Sequence, residues 1–317
     1  MVNKVGSKRL LLFWSCLVSI LPGMAQTEKL TDYVNPFVGT DGYGNVYPGA
    51  QIPFGGIQIS PDTDSRFYDA ASGYKYNHLT LMGFSLTHLS GTGIPDLGDF
   101  LFIPGTGEMK LEPGTHEDPD QGYRSRYSHD KEWASPNYYA VELADYGVKA
   151  EMTSGVRSGM FRFTYPESDN AFIMIDMNHT LWQSCEWSNL RMINDSTITG
   201  YKLVKGWGPE RHVYFTATFS KKLTGLRFVQ DKKPVIYNTS RFRSSYEAWG
   251  KNLMACISFD TKAGEEVTVK TAISAVSTDG ARNNMKELDG LTFNDPERYG
   301  EARTRYEQQW ADYMEQE

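Results

Sequence analysis

Between Gly83 and Asp99 the sequence reads Gly-Phe-Ser-Leu-Thr-His-Leu-Ser-Gly-Thr-Gly-Ile-Pro-Asp-Leu-Gly-Asp. One His, two Ser, two Thr and two Asp fall within these 17 residues. A Ser-His-Asp hydrolase needs those residue types, but no Gly-x-Ser-x-Gly elbow accompanies them, and triad members rarely lie so close in sequence. Two readings stay open. One is a loop held by Ser, Thr and Asp side chains bonding to backbone. The other is a ligand-facing loop that presents His88 and Asp96 to polyol hydroxyls, its glycines allowing close approach.

A second cluster runs from Gly39 to Gly56 and is rich in Gly, Pro and Tyr. Gly42-x-Gly44 lacks the strand-helix context and third glycine of a dinucleotide loop. Pro61-Asp62-Thr63-Asp64 spaces two acids as a calcium loop does, without the glycine and closing Glu of an EF-hand. The six histidines, at 78, 88, 116, 129, 179 and 212, show no zinc-type spacing. Trp182, between Asn178-His179 and Gln183, is placed on a loop where its face could stack on a sugar ring. Sequons begin at Asn178, Asn194 and Asn238.

The elements that must position these loops follow from hydrophobic period. From Thr31 to Gly122 the chain is punctuated by turn signals, with short strands at Ile57–Ser60 and Phe100–Pro104. From Tyr138 to Ser277 strand follows strand. Val213, Phe215, Ala217 and Phe219 alternate with polar neighbours, and Ala171–Met177 is a near-continuous apolar run. Further strands are expected at Leu223–Gln230, Val235–Asn238, Leu253–Asp260 and Val267–Val276. No helix interleaves them, so the fold class is mainly β: a large antiparallel two-sheet β-sandwich. After Asp279 the period becomes helical. Ala281, Met285 and Leu288 share a face. Asp295-Pro296-Glu297 starts a second helix striped by Tyr299, Ala302, Tyr306, Trp310 and Tyr313. That stripe needs a partner, either the sandwich or a further domain.

Residues 1–25 read as a secretory signal peptide, with Lys4, Lys8 and Arg9 before a 12-residue apolar run and Gly23-Met24-Ala25 as the cleavage site. The run is too short for a membrane span. Export leaves periplasmic and secreted locations open. The chain of 317 residues carries a net charge of −7, which disfavours nucleic-acid partners. Cys185 and Cys256 do not by spacing define a disulfide.

Together the two clusters resemble the N-terminal part of glycoside hydrolase family 92, the calcium-dependent exo-acting α-mannosidases. The resemblance is carried by Tyr33-Val34-Asn35-Pro36-Phe37-Val38-Gly39-Thr40, Pro48-Gly49-Ala50, Pro53-Phe54-Gly55, Ser60-Pro61-Asp62-Thr63 and Ser72-Gly73-Tyr74-x-Tyr76. It continues through Gly83 to Gly93, Asp96 to Asp99, and Ile273-Ser274-x-Val276-Ser277. It implies a sandwich over 26–278 joined by linker helices, 279–317, to a helical (α/α)6 barrel that this chain does not contain.

The resemblance further implies inverting hydrolysis of terminal α-linked mannose in a mannose-containing glycan, α-1,2-linked in type. The acid, base and most calcium contacts would come from the barrel, so no catalytic residue and no metal ligand is assigned to this chain. On this reading the chain is truncated or a fragment and is inactive alone. Asn45, Asp62, Tyr74, His88, Ser90, Thr92, Asp96 and Trp182 are the expected sugar-lining residues. The alternative is a non-catalytic carbohydrate-binding β-sandwich module.

Overall fold

The computed structural model describes residues 30–65, 70–236, 246–289 and 308–316. The signal-peptide segment, the Asn238 sequon and the Pro296 helix start lie outside these residues. Among the described residues two antiparallel sheets dominate. The first has seven strands in the order β1 (Ser60–Asp62), β3 (Gly83–Ser85), β4 (Leu101–Thr106), β10 (Ser168–Asp176), β17 (Leu253–Thr261), β14 (Gly225–Gln230) and β15 (Lys233–Pro234). The second has nine: β16 (Glu247–Gly250), β11 (Ser184–Asn194), β12 (Thr197–Lys205), β13 (Arg211–Phe219), β18 (Glu265–Ser274), β9 (Ser158–Tyr165), β8 (Val148–Ser154), β7 (Tyr138–Leu143) and β6 (Glu132–Ser135). A small pair, β2 (Thr80–Leu81) with β5 (Ser125–Arg126), stands apart. The architecture is mainly β, as the alternating pattern requires.

The sheets meet across an aromatic core. Phe102 of β4 lies 4.9 Å from Phe161 of β9, and Phe100 lies 4.4 Å from Phe215 of β13, centroid to centroid. Phe161 also stacks on Phe163 at 5.4 Å. Such offset ring pairs contribute roughly 0.5–1.5 kcal/mol beyond the area they bury. The unbroken apolar run of β10 has a physical reason. Its Ala171, Ile173 and Ile175 face this core. Its Phe172 and Met174 face a second apolar layer with Met82, Leu101, Ile103 and Tyr123, so both sides of the strand are covered.

In place of the expected strand over Val235–Asn238 there is a two-residue strand at Lys233–Pro234, in a tight hairpin with β14; Val235 and Ile236 are not in a strand, and Tyr237 and Asn238 lie outside the described residues. Beyond β18 comes a short helix, α1 (Thr278–Asn284), capped by Ser277 Oγ accepting from Gly280 N–H at 2.9 Å. A 3₁₀ turn over Met285–Leu288 completes it and buries Leu288. The segment 308–316 folds back onto the sandwich. Trp310 packs with Ile52, Met160 and Leu288, and its indole N–H donates to the Gln51 carbonyl. The Trp310 stripe thus finds at least part of its partner in the sandwich. Cys185 and Cys256 are both buried free thiols.

Phe161→Ala opens a void among Phe84, Phe102 and Phe163. It should lower unfolding free energy by about 3–5 kcal/mol, measured by urea denaturation. A cost below about 1 kcal/mol would contradict this core assignment.

Candidate functional site

Asp62 ends β1 with no solvent exposure. Its Oδ1 lies 2.8 Å from His88 Nε2, and its Oδ2 lies 2.8 Å from His179 Nε2. The other nitrogen of His88, Nδ1, lies 2.8 Å from the Gln58 carbonyl oxygen. A carbonyl only accepts, so Nδ1 donates there, and both ring nitrogens face acceptors. Ser85 Oγ adds a contact to Nε2 at 3.1 Å. Three separate segments (the end of β1, the loop after β3 and the loop after β10) are thereby tied to one carboxylate.

Gly73 makes that approach possible. Its φ is +87°, and a Cβ there would stand 2.1 Å from Asp62 Oδ1 and 3.2 Å from His88 Cδ2. Only glycine both adopts this backbone and leaves room for the carboxylate.

A second buried carboxylate lies alongside. Asp99 receives Arg211 at 2.6 and 3.2 Å, Lys202 at 3.1 Å and the Thr87 hydroxyl at 2.7 Å. Lys202 has no exposure and also donates to the His179 carbonyl at 2.6 Å. The two carboxylates therefore belong to one continuous network. Burial alone would push both acids up. For Asp62 the charges of His88 and His179 and their hydrogen bonds outweigh it and hold the carboxyl well below the usual range. For Asp99 Lys202, Arg211 and Thr87 do the same.

Above the network, four loops converge. Gly91 N–H donates to the Asn45 carbonyl at 2.7 Å, and Gln183 Nε2 donates to the Pro95 carbonyl at 2.9 Å. Asp96 accepts from its neighbour Leu97 N–H at 2.6 Å and, more weakly, from Trp207 N–H at 3.4 Å. Trp182 and Trp207 stand largely exposed at this end, 55% and 66%. Trp182 sits at φ +72°, an uncommon conformation for a bulky residue that turns its ring outward.

The sequence-derived candidates divide by depth. Asn45, Ser90, Thr92 and Trp182 are on the exposed loops, with the Thr92 hydroxyl donating to the Ile94 carbonyl at 2.9 Å. Asp96 lies just beneath them, and its carboxylate bonds to backbone N–H groups of two loops. Asp62 and His88 lie under the surface as the tie between loops. Tyr74 is buried elsewhere in the same wall, its hydroxyl donating to Glu132 at 2.9 Å. Glu132 also takes Tyr139 at 2.5 Å and His129 at 2.6 Å.

Gly73 stood in the sequence within the Ser72-Gly73-Tyr74 motif, without its tie to Asp62; Asp176, His179, Lys202 and Arg211 were not singled out as site residues. Lys202 carried a usable signal: it occupies an inward position in the alternation Ile198, Gly200, Lys202, Val204, where a charge demands a buried partner.

Asp176, at the end of β10, borders a cleft of about 940 Å³ together with His179, Trp182, Tyr123 and Lys251. Burial raises its carboxyl above the ordinary value, against the lowering pull of His179. Calcium requires six to eight oxygens. Among the described residues no three of His, Cys, Asp and Glu converge as a metal site. Asp62 spends its oxygens on two imidazoles, so the described residues do not fit a calcium cage.

Residues 33–274 match the glycosyl hydrolase family 92 N-terminal domain. The chain belongs to this family. It is 95% identical to a solved family GH92 alpha-mannosidase from Bacteroides thetaiotaomicron, over 91% of this chain but 38% of that one, with a TM-score of 0.86. That mannosidase has also been solved in complex with mannoimidazole. A GH92 inverting mannosidase of the same organism shares the fold at 23% identity and a TM-score of 0.74, covering 91% of this chain and 36% of that one. An uncharacterized secreted glycosidase of Arthroderma benhamiae is 29% identical over 161 residues, 50% of this chain and 20% of that protein. The GH92 chain thus spans well under half the length of these relatives.

Gly73→Ala should drive the Asp62 carboxylate off its histidines and cost at least about 2 kcal/mol, read as a lowered Tm. An unchanged Tm would refute the packing. The depressed Asp62 and Asp99 also fix the sign of acid sensitivity. Their stabilisation is full above the unfolded carboxylate value of about 3.9 and is lost as pH falls below it, through their lower folded values. Between pH 5 and pH 2, Asp62→Asn should therefore show a shallower fall of Tm than the parent chain. An equal slope would count against the assignment.

Proposed function

We propose that this GH92 chain is the sandwich part of an exported, inverting exo-α-mannosidase acting on terminal α-1,2-linked mannose. Its loop cluster forms one wall of the sugar pocket. Asn45, Ser90, Thr92 and Trp182 face the ligand, Asp96 backs them, and Asp62, Tyr74 and His88 hold the wall rigid. The observation that carries this reading is the near-identity to a GH92 alpha-mannosidase over 91% of this chain, at 38% of that enzyme's length.

The chemistry fits a shared site. Inversion needs one carboxylic acid at the leaving oxygen and one carboxylate activating a water, about 6.5–9.5 Å apart. Asp62 is held by two imidazoles and Asp99 by Lys202 and Arg211, and both carboxyls lie well below the usual range, which disqualifies them as proton donors. Asp176 has the raised carboxyl that suits an acid, but the other carboxylates of its cleft, Glu112 and Asp231, are exposed and taken up by Lys232 and Asn252. The acid and base are therefore assigned to the part of the enzyme that this chain does not span. So is the calcium, which in the family reading engages sugar hydroxyls. The wall's own work is orientation: rigid donors and an aromatic face fix the terminal ring before the reacting groups meet it.

The purified chain should release no mannose from α-1,2-mannobiose, with or without added calcium, when followed by product chromatography. Robust calcium-dependent release would overturn the division of labour.

A further inference from the structure

The outer face of the nine-stranded sheet, away from the core, carries a second constellation. Register places Trp249 of β16 opposite Asn189 of β11, Asn189 opposite Tyr201 of β12, and Tyr201 opposite Tyr214 of β13. These residues form one row across four strands, each about 4.7–4.9 Å from the next. The Tyr201 and Tyr214 rings lie 4.8 Å apart at 33°. The Tyr201 hydroxyl is fixed by His212 Nδ1 at 3.0 Å. Trp249 is 54% exposed at the sheet edge.

A neighbouring row on the same face places Glu247 opposite Arg191 and Arg191 opposite Thr199. Asn189 Nδ2 links the rows by donating to Glu247 Oε1 at 3.2 Å. Helix α1 walls one side with Asp279 and Arg282, enclosing a groove of about 620 Å³.

The pattern is specific in its chemistry. Three aromatic rings lie along a line, held by paired strands rather than by loops. A charged and amide row runs parallel to them. An apolar protein partner would want an aliphatic face without charge in its centre. A pyranose chain offers what this groove matches: C–H faces for the rings, and hydroxyl edges that pair with a guanidinium, a carboxylate and an amide. We infer that this groove is an ancillary glycan-binding site for a linear run of α-linked mannose units, separate from the loop cluster. It lies on the outward positions of β11, β12, β13 and β16 and shares no residue with the wall formed by Asn45, Asp96 and Trp182. The inference borrows the mannose class from the proposed function but does not depend on the loop site.

The test is titration of the chain with linear α-mannotetraose by NMR, following the indole signals, with calorimetry for affinity. Trp249→Ala and Arg191→Ala should each weaken binding by about tenfold or more. The Trp249 indole signal should shift with tetraose in the Trp182→Ala chain as it does in the parent, which reads this groove apart from the loop cluster, whose own contact with the terminal mannose Trp182→Ala weakens. Both Trp249 and Arg191 are exposed, so folding is checked by unchanged Tm. In the Trp182→Ala chain, binding that survives Trp249→Ala and Arg191→Ala together would overturn the inference, as would no binding of the parent at millimolar tetraose. So would a concentration-dependent dimer dispersed by Trp249→Ala, since the face would then serve a second copy.

Discussion

The candidate site rests on one interaction: a fully buried carboxylate, Asp62, shared between two imidazoles from different loops. An ion taken out of water is costly unless every lone pair is met. Here the cost is offset by His88 and His179, and the neighbouring Asp99 is met in turn by Lys202, Arg211 and Thr87. Lys202 joins the two halves through the His179 carbonyl. The network lets glycine-rich loops, which have little apolar burial of their own, hold a fixed shape. A surface that must orient a sugar needs that rigidity more than it needs affinity.

The sandwich serves this network. Lys202 and Arg211 reach Asp99 because β12 and β13 turn those positions inward. Gly73 is required because no other residue leaves the carboxylate its place. The segment carrying Trp310 binds the Gln51 carbonyl. Gln51 accepts from the Tyr47 hydroxyl, and the Tyr47 ring lies 5.0 Å from His88. The continuation of the chain past the sandwich is thus in packed contact with the same cluster of loops.

Much of the fold was legible in the sequence, because strand alternation reports burial directly. Val213 to Phe219 read correctly from period two alone, and the apolar run of β10 read as a strand, whose cover on both faces only the structure shows. The site was legible only in part. Asp62 and His88 stand out as residue types in an unusual loop, yet their partnership spans 26 residues and its second half, His179, lies 117 residues from Asp62. No local pattern encodes such a contact. The depth of His88 and Tyr74 was also hidden, since a polar side chain in a glycine-rich loop reads the same whether it faces ligand or another loop.

The Asp62 network, and not the strands, fixes the loop wall. Native-state hydrogen exchange on Asp62→Asn separates the two. Protection should be lost in residues 87–98 and 178–184, with the amides of β9, β13 and β18 still protected. Loop protection equal to that of the parent chain would contradict it.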